Sequence, residues 1–184
     1  MLNSVGVGGS EKAWGLSVGF ISLVYSGCRT LPSTGTSFGG SVATPNEGIT
    51  SVNVKAGGLT PEGYQLIADG VGWEPRTTGQ ARDLIINARH VVTAWDKGTL
   101  AGMARASGTG AHYAHLSDIA VLPHLHGRGF GSAILRHLLR LVDREVRNDA
   151  TVTLHATPGT EPFYERFGFN PSATPFLMTR SRQE

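Results

Sequence analysis

A glycine-spaced loop that runs directly into a helix constrains the fold of this chain more than any other feature. The loop reads His126-Gly127-Arg128-Gly129-Phe130-Gly131-Ser132, and apolar residues then recur at helical spacing as far as Val146. Glycine permits positive φ and lets a backbone approach a ligand closely, and the free amides at a helix N-terminus favour a phosphate. The segment is therefore either a phosphate-binding loop ahead of an amphipathic helix over 129–146 or a tight structural turn.

The loop does not match two familiar nucleotide-binding motifs. It lacks the Gly-Lys-Ser/Thr ending of a Walker A loop, and Ser132 stands where the third glycine of a dinucleotide motif would be. Patterns elsewhere in the chain are therefore needed to predict what the loop binds.

Strand and helix patterns alternate around the loop. Thr60 and Pro61 are typical of a helix start, and residues 96–98 are typical of a hairpin turn. Antiparallel strands followed by a strand–helix–strand unit predict an α/β fold with a mixed sheet. The predicted strands are 51–55, 91–95, 100–106, 111–122, 151–155 and 176–179. One helix is predicted to begin at residue 61, and three more are predicted over 78–88, 129–146 and 159–166.

The strand before the loop changes the face of its apolar residues part-way along. Ala114 and Leu116 occupy even positions, whereas Ile119 and Val121 occupy odd ones. Because side chains of a strand alternate strictly between faces, this change requires one extra residue, so we predict a β-bulge around Ser117-Asp118. Bulges often lie beside active sites, although a short pattern can also be irregular by chance.

Two segments together resemble the signatures of a known family. Asp118-Ile119-Ala120-Val121-Leu122-Pro123 with the loop after it resembles the acetyl-CoA motif of the GCN5-related N-acetyltransferase (GNAT) superfamily, and residues 163–169, Phe-Tyr-Glu-Arg-Phe-Gly-Phe, resemble its last signature. The resemblance covers about residues 49–184. It implies an acyl-CoA N-acyltransferase fold, with a mostly antiparallel sheet, a central β-bulge and flanking helices. It also implies an N-acetyltransferase that moves acetyl from acetyl-CoA to a primary amine of a small molecule or peptide by direct attack in a ternary complex.

The same resemblance assigns acetyl-CoA, as co-substrate, to the bulged strand and the loop. The strand backbone would pair with the pantetheine arm, and the loop amides would hold the pyrophosphate. His126 stands where the family usually has Gln or Arg, and Thr157 replaces a frequent Asn. The residues expected to bind the cofactor are Ile119, Ala120, Val121, His126, Gly127, Arg128, Gly129, Phe130, Gly131, Ser132 and Thr157.

By the same resemblance, Tyr164 is the candidate general acid for the departing thiolate. A phenol with a pKa near 10 protonates a thiolate whose acid has a pKa near 8.5 only uphill, by roughly 2 kcal/mol. Tyr164 therefore helps only if its pKa is lowered or if hydrogen bonding alone stabilises the sulfur. The alternative is a core tyrosine that packs between Phe163 and Phe167.

A substrate amine is mostly protonated at pH 7, so some group must accept a proton from it, directly or through water. Asp118 at the bulge is the first candidate, and His115 on the same strand has a pKa better suited to the task. Asp118 can equally serve only to bond the bulge amides, and His115 can be an ordinary strand residue. The resemblance also implies that a backbone amide at the bulge, that of Ile119, donates to the thioester oxygen. Trp73 lies in a segment that resembles the family's acceptor-side lid, which implies a contact with the acceptor; core packing is the alternative.

Charge, segment length and residue spacing argue against several classes of binding partner. The formal net charge is +2 and the basic residues are dispersed, so no nucleic-acid partner is expected. Apolar residues 16–25 are too few to span a bilayer, so no membrane partner is expected. His124 and His126 lack a nearby acidic or Cys partner, so no metal is expected. The sequence leaves a homodimer open.

The N-terminal region differs from the rest of the chain. Residues 1–48 are rich in Gly, Ser and Thr without periodicity, which predicts a mostly disordered extension before a GNAT domain over 49–184. Cys28 is the only cysteine, which favours a reducing, cytoplasmic compartment. A secretion signal at the N-terminus is the alternative interpretation. A non-catalytic acyl-CoA- or nucleotide-binding module of the same fold is the alternative function.

Overall fold

The computed structural model describes residues 52–181, so the predicted extension over 1–48 and Cys28 lie outside the described residues. Within this range the chain forms seven strands and four α-helices. The strands are β1 (Asn53–Ala56), β2 (His90–Asp96), β3 (Thr99–Gly110), β4 (Tyr113–Val121), β5 (Thr151–His155), β6 (Asn170–Pro171) and β7 (Leu177–Ser181). The helices are α1 (Pro61–Gly70), α2 (Thr78–Ile86), α3 (Phe130–Asp143) and α4 (Glu161–Glu165).

All seven strands form one sheet in the order β1-β2-β3-β4-β5-β7-β6. Only β4 and β5 pair in parallel, because α3 returns the chain between them; every other pair is antiparallel. This arrangement confirms the predicted mixed, mostly antiparallel sheet with flanking helices.

Helices cover both faces of the sheet. On one face α3 builds the α3-side core, whose most deeply buried members include Leu116, Phe130, Ile134, Leu135, Leu138, Leu154 and Phe169. On the other face α1 and α2 cover β2 to β4 and form the α1-side core, which comprises Leu59, Tyr64, Ile67, Ala68, Ala81, Leu100, Met103 and Ala120. Each buried Leu or Ile contributes about 1.5–3 kcal/mol, so these two cores fix the sheet on which the site is built.

The predicted element boundaries differ from the structure mainly at ends. Helix α1 begins as predicted, with the Thr60 hydroxyl accepting from the Gly63 amide. The predicted helix over 129–146 ends earlier, because the amides of Glu145 and Val146 both bond the Val142 carbonyl and tighten the last turn. A short 3₁₀ turn over Pro123–Leu125 and the two-residue β6 were not predicted, because neither is long enough to show a period.

None of the helices between residues 52 and 181 has the length and apolar character needed to cross a membrane.

Candidate active site

The central strand β4 carries the predicted bulge. Met103 of β3 pairs with Ala120, but Arg105 pairs with Ser117, so two β4 residues oppose the single β3 residue between them. Asp118 at this point has a φ of +50°, in the left-handed region. Side chains on either side of the bulge now share the α3-side core, as the change of phase predicted: Ala114, Leu116, Ile119 and Val121.

The sheet opens at the bulge. Strand β5 pairs with β4 only from Tyr113 to Leu116, which leaves the rest of β4 without a partner on that edge. The Leu122 amide bonds the Ala101 carbonyl of β3, so by alternation Val121 directs its backbone groups towards the open edge. The Val121 carbonyl accepts a hydrogen bond from His126 Nε2 at 2.8 Å. The open edge of β4 therefore leads directly to the glycine loop.

At two of its three glycines, the glycine loop has the positive φ that its sequence predicts. Gly127 and Gly129 have φ values of +76° and +86°, and a Cβ at either would meet open space, so φ alone requires glycine there. Gly131 already belongs to α3. The helix N-cap is Gly129, which has no side chain to bond the first amides. These amides and the positive end of the helix dipole suit an anion.

Arg128, the positively charged residue of the loop, forms an ion pair with Asp96, which the sequence did not predict. Arg128 lies 3.3 Å from the Asp96 carboxylate at the β2–β3 turn, and its guanidinium lies over the Phe130 ring at 5.5 Å. Side chains of Arg128 and Asp96 are 40% and 19% exposed, so water screens the pair only in part. Any anion at the loop competes with Asp96 for this arginine.

The carboxylate of Asp118 belongs to a buried ion pair. Its Oδ2 accepts from Arg105 Nε at 2.6 Å and from the Tyr64 hydroxyl at 3.2 Å. Arg105 is only 7% exposed and also donates to the Leu84 carbonyl of α2 at 2.6 Å. Burial, followed by the nearby Asp118 charge, raises the pKa of Tyr64. The bulge is thus tied to both α1 and α2.

Sequence reasoning missed Arg105 and Tyr64. The available signal was an arginine in the otherwise small and apolar run of β3, at a position whose neighbours face the cores. A charge that faces a core needs a partner, and Asp118 is that partner.

His115 lies on the same face of β4 as Asp118. Its Nδ1 is 2.9 Å from the Thr153 hydroxyl of β5, which is also 2.9 Å from the Tyr113 hydroxyl. Its ring meets the His155 ring edge-on, with centroids 5.5 Å apart. Burial lowers the pKa of His115, and the charges of His155 and Arg105 lower it further, so the ring is neutral at pH 7.

Tyr164 lies in α4 and is 8% exposed. Its ring packs edge-on against Phe163 and Phe169, with centroids 5.0 and 6.3 Å away. Burial raises the pKa of Tyr164 to about 12. No residue within 52–181 bonds its hydroxyl.

The two remaining predicted residues make contacts away from the bulge and the loop. Trp73, in the segment between α1 and α2, is half-buried and packs against the α1-side core. Thr157 follows β5, and its carbonyl accepts from both the amide and the hydroxyl of Thr160. The structure thus places His115 and Asp118 on one face, and it aligns the open edge with the loop.

A separate cavity of about 440 Å³ lies at the other end of the sheet, lined by residues that include Arg89, His90 and Glu145. It contains none of the predicted site residues. Among the residues that the structure describes, no three His, Cys, Asp or Glu side chains are grouped to hold a metal ion.

A bulged central strand that opens beside a glycine loop at a helix N-terminus defines an acyltransferase architecture. The family model described as "Acetyltransferase (GNAT) domain" matches residues 77–180, which is more than half of the chain. The chain therefore belongs to the GNAT acetyltransferase family.

Relatives and solved structures agree with this assignment. The chain is 28% identical over 113 residues to "Uncharacterized N-acetyltransferase ycf52" of Pyropia yezoensis, covering 58% of this chain and 63% of that protein. It is 30% identical over 117 residues to "Histone acetyltransferase TAP1" of Glycine max, covering 57% and 49%. The matches thus span less than two thirds of each curated relative.

Among solved structures, a probable acetyltransferase of meticillin-resistant Staphylococcus aureus superposes with a TM-score of 0.63 at 32% identity, covering 66% of this chain and 92% of that one. The N-acetylglutamate synthase of Neisseria gonorrhoeae, solved with coenzyme A and L-arginine, has a TM-score of 0.59 at 14% identity and covers 72% and 34%. The second likeness shows the fold alone.

Proposed function

We propose that the chain is an N-acetyltransferase that moves acetyl from acetyl-CoA to a primary amine within a ternary complex. The bulge at Asp118 carries this proposal, because it lies where β4 and β5 cease to pair and where the open edge meets the glycine loop. The Neisseria enzyme of the same fold was solved with coenzyme A, which supports an acyl-CoA ligand here.

The residues present fit such a ligand. The open edge offers backbone groups of Ile119 and the Val121 amide, which an extended pantetheine amide could bond as an added strand would; the Val121 carbonyl already accepts from His126. Gly127 and Gly129 hold the loop in a left-handed conformation with open space around it, and the first amides of α3 and the Arg128 guanidinium supply positive charge for a pyrophosphate. When bound, acetyl-CoA supplies the activated acetyl group.

We assign the base to His115 rather than to Asp118. Protonation of Asp118 would leave the buried Arg105 without its counter-ion, which is costly in a site of low exposure. His115 is neutral at pH 7, and no residue of the described chain bonds its Nε2. Asp118 instead stabilises the bulge and so orients the Ile119 amide, our candidate donor to the thioester oxygen.

Tyr164 acts on the departing sulfur by hydrogen bonding rather than by full proton transfer. A phenol with a pKa of about 12 would protonate a thiolate of ordinary basicity uphill by about 5 kcal/mol. Its unpaired hydroxyl is free to donate without losing another bond. Tyr164→Phe is therefore expected to slow turnover at unchanged affinity for acetyl-CoA.

The acceptor is an amine of a small molecule or peptide. Relatives include a protein named as a histone acetyltransferase and a fold neighbour from Escherichia coli named for the alanine of ribosomal protein S18, so peptide amines belong in any search beside small amines. The test is a panel of polyamines, arylalkylamines, aminoglycosides and peptides, with thiol release from acetyl-CoA as the readout.

The cofactor site is tested by Gly129→Glu, with Gly129→Ala as the matched control. Both variants strain a backbone at a φ of +86°, but only Glu adds an anion beside the loop. We expect calorimetry to show at least about 10-fold weaker acetyl-CoA binding for Glu than for Ala. Equal affinities would show that the loop does not hold the cofactor. Tight binding by wild type without transfer to any amine would favour the non-catalytic module.

A further inference from the structure

The hydroxyl of Thr153 on β5 lies at the centre of three polar contacts. The Tyr113 hydroxyl and His115 Nδ1 are each 2.9 Å from its Oγ1, and the Ala114 carbonyl oxygen is 3.5 Å from it. Thr153 is 6% exposed, so these contacts, rather than water, satisfy its hydroxyl.

A count of protons relates the directions of the three contacts to one another. A hydroxyl has one proton to donate and two lone pairs to accept with. The Ala114 carbonyl can only accept, so it takes the Thr153 proton when all three contacts are made. Tyr113 and His115 Nδ1 must then both donate to Thr153. A neutral imidazole with its proton on Nδ1 carries its lone pair on Nε2.

We propose that Thr153 is a positioning residue that holds His115 in the Nδ1–H tautomer, so that Nε2 presents its lone pair to the acceptor amine. The proposal rests on the proposed function and names the device that orients its base. It parallels the general rule that the hydrogen bond at one ring nitrogen sets the protonation of the other.

Every proton in the proposed acetyl transfer is accounted for. The ammonium acceptor loses one proton to Nε2, while Nδ1–H keeps its bond to Thr153. The amine nitrogen then bonds the acetyl carbon as the carbon–sulfur bond breaks, and the second nitrogen proton neutralises the thiolate. The proton on Nε2 leaves to solvent, which restores the neutral ring.

The charges around His115 agree with this role. Burial disfavours the protonated ring most, His155 on β5 and Arg105 on β3 disfavour it further, and Asp118 on β4 favours it. The Tyr113 hydroxyl, at the exposed end of the network, completes the titratable groups in contact with Thr153. The balance keeps the ring neutral between turnovers.

Imidazole nitrogen NMR tests the tautomer directly. The full chain is labelled with nitrogen-15 histidine, and the His115 signals are identified by their loss in His115→Gln. We expect the Nδ1–H pattern at pH 7.5 without any ligand. An Nε2–H pattern would overturn the proposal whatever the activity, because Thr153 would then be donating to the ring.

Two variants link the tautomer to turnover. Thr153→Val replaces the hydroxyl with a methyl group and keeps the β-branched shape, whereas Thr153→Ser keeps the hydroxyl. We expect Val to lose the tautomer preference and to lower kcat on the order of 10-fold at unchanged acetyl-CoA affinity, and Ser to stay within about 2-fold of wild type. An unchanged kcat in the Val variant would also overturn the proposal.

The NMR spectrum and the activity assay test separate parts of the proposal. If wild type transfers acetyl to no amine in the panel, the proposed function fails and the positioning role of Thr153 fails with it. The NMR measurement still determines the His115 tautomer, because it needs neither acceptor nor turnover.

Discussion

At the scale of single residues, Asp118 combines an unusual backbone conformation with a buried ion pair. Its φ of +50° is one that Asn and Asp tolerate better than other non-glycine residues, and its carboxylate neutralises the buried Arg105. The residue that makes the bulge possible is thus also the one that secures it to β3 and α1.

Tyr164→Phe is expected to alter the pH dependence of stability. Since burial raises the folded pKa of Tyr164 to about 12 from an ordinary value of 10, the unfolded chain ionises this phenol first. The phenol's contribution is complete below pH 10 and is lost as pH rises towards 12. The wild type should lose about 1.4 kcal/mol relative to Tyr164→Phe between pH 9 and pH 11.

Urea unfolding of both proteins at each pH measures this difference. Phenylalanine cannot ionise, so the comparison cancels the other tyrosines and lysines. Parallel stability curves from pH 9 to pH 11 would show that the Tyr164 hydroxyl is not shielded from water.

At the scale of elements, the β2–β3 turn and the glycine loop share one ion pair. Asp96→Asn should release Arg128 from its partner and so make it available to a pyrophosphate. Because both side chains are partly exposed, we expect acetyl-CoA to bind only about 2- to 5-fold more tightly at low salt, with the gain shrinking as salt screens the charges. Calorimetry at two ionic strengths measures both effects.

The double variant provides the control for this prediction. In an Arg128→Ala background, Asp96→Asn should no longer change the affinity, because the competing cation is absent. A similar gain in both backgrounds would mean that Asp96 acts on the ligand by its own charge and not through Arg128.

At the scale of the whole molecule, residues 49–184 are proposed to form a self-sufficient domain. The sheet and both cores are contained in the described range, and a chain of this length buries enough surface to fold. A fragment that begins at Ile49 should therefore unfold in a single transition and bind acetyl-CoA within about 2-fold of the full chain.

Thermal unfolding and calorimetry on the fragment and the full chain check this expectation. A fragment that unfolds without cooperativity, or that binds acetyl-CoA more than about 10-fold more weakly, would show that residues 1–48 contribute to the domain or its site.

Local patterns in the sequence determined much of this protein. The glycine spacing predicted the positive φ values at Gly127 and Gly129, the helical period predicted α3, and the change of phase between Leu116 and Ile119 predicted the bulge. Each of these features is decided within a few residues, because backbone sterics and side-chain alternation act over short stretches of chain.

Only the tertiary structure decided which side chains meet. Asp118 with Arg105, Arg128 with Asp96, and His115 with Thr153 are pairs separated by 13, 32 and 38 positions. The register of β3, β4 and β5 and the return of the chain through α3 bring them together, and periodicity contains no information about either. The sequence therefore determined where a ligand can approach the backbone, whereas packing of the sheet determined the charge and hydrogen bonds of the groups proposed to act on it.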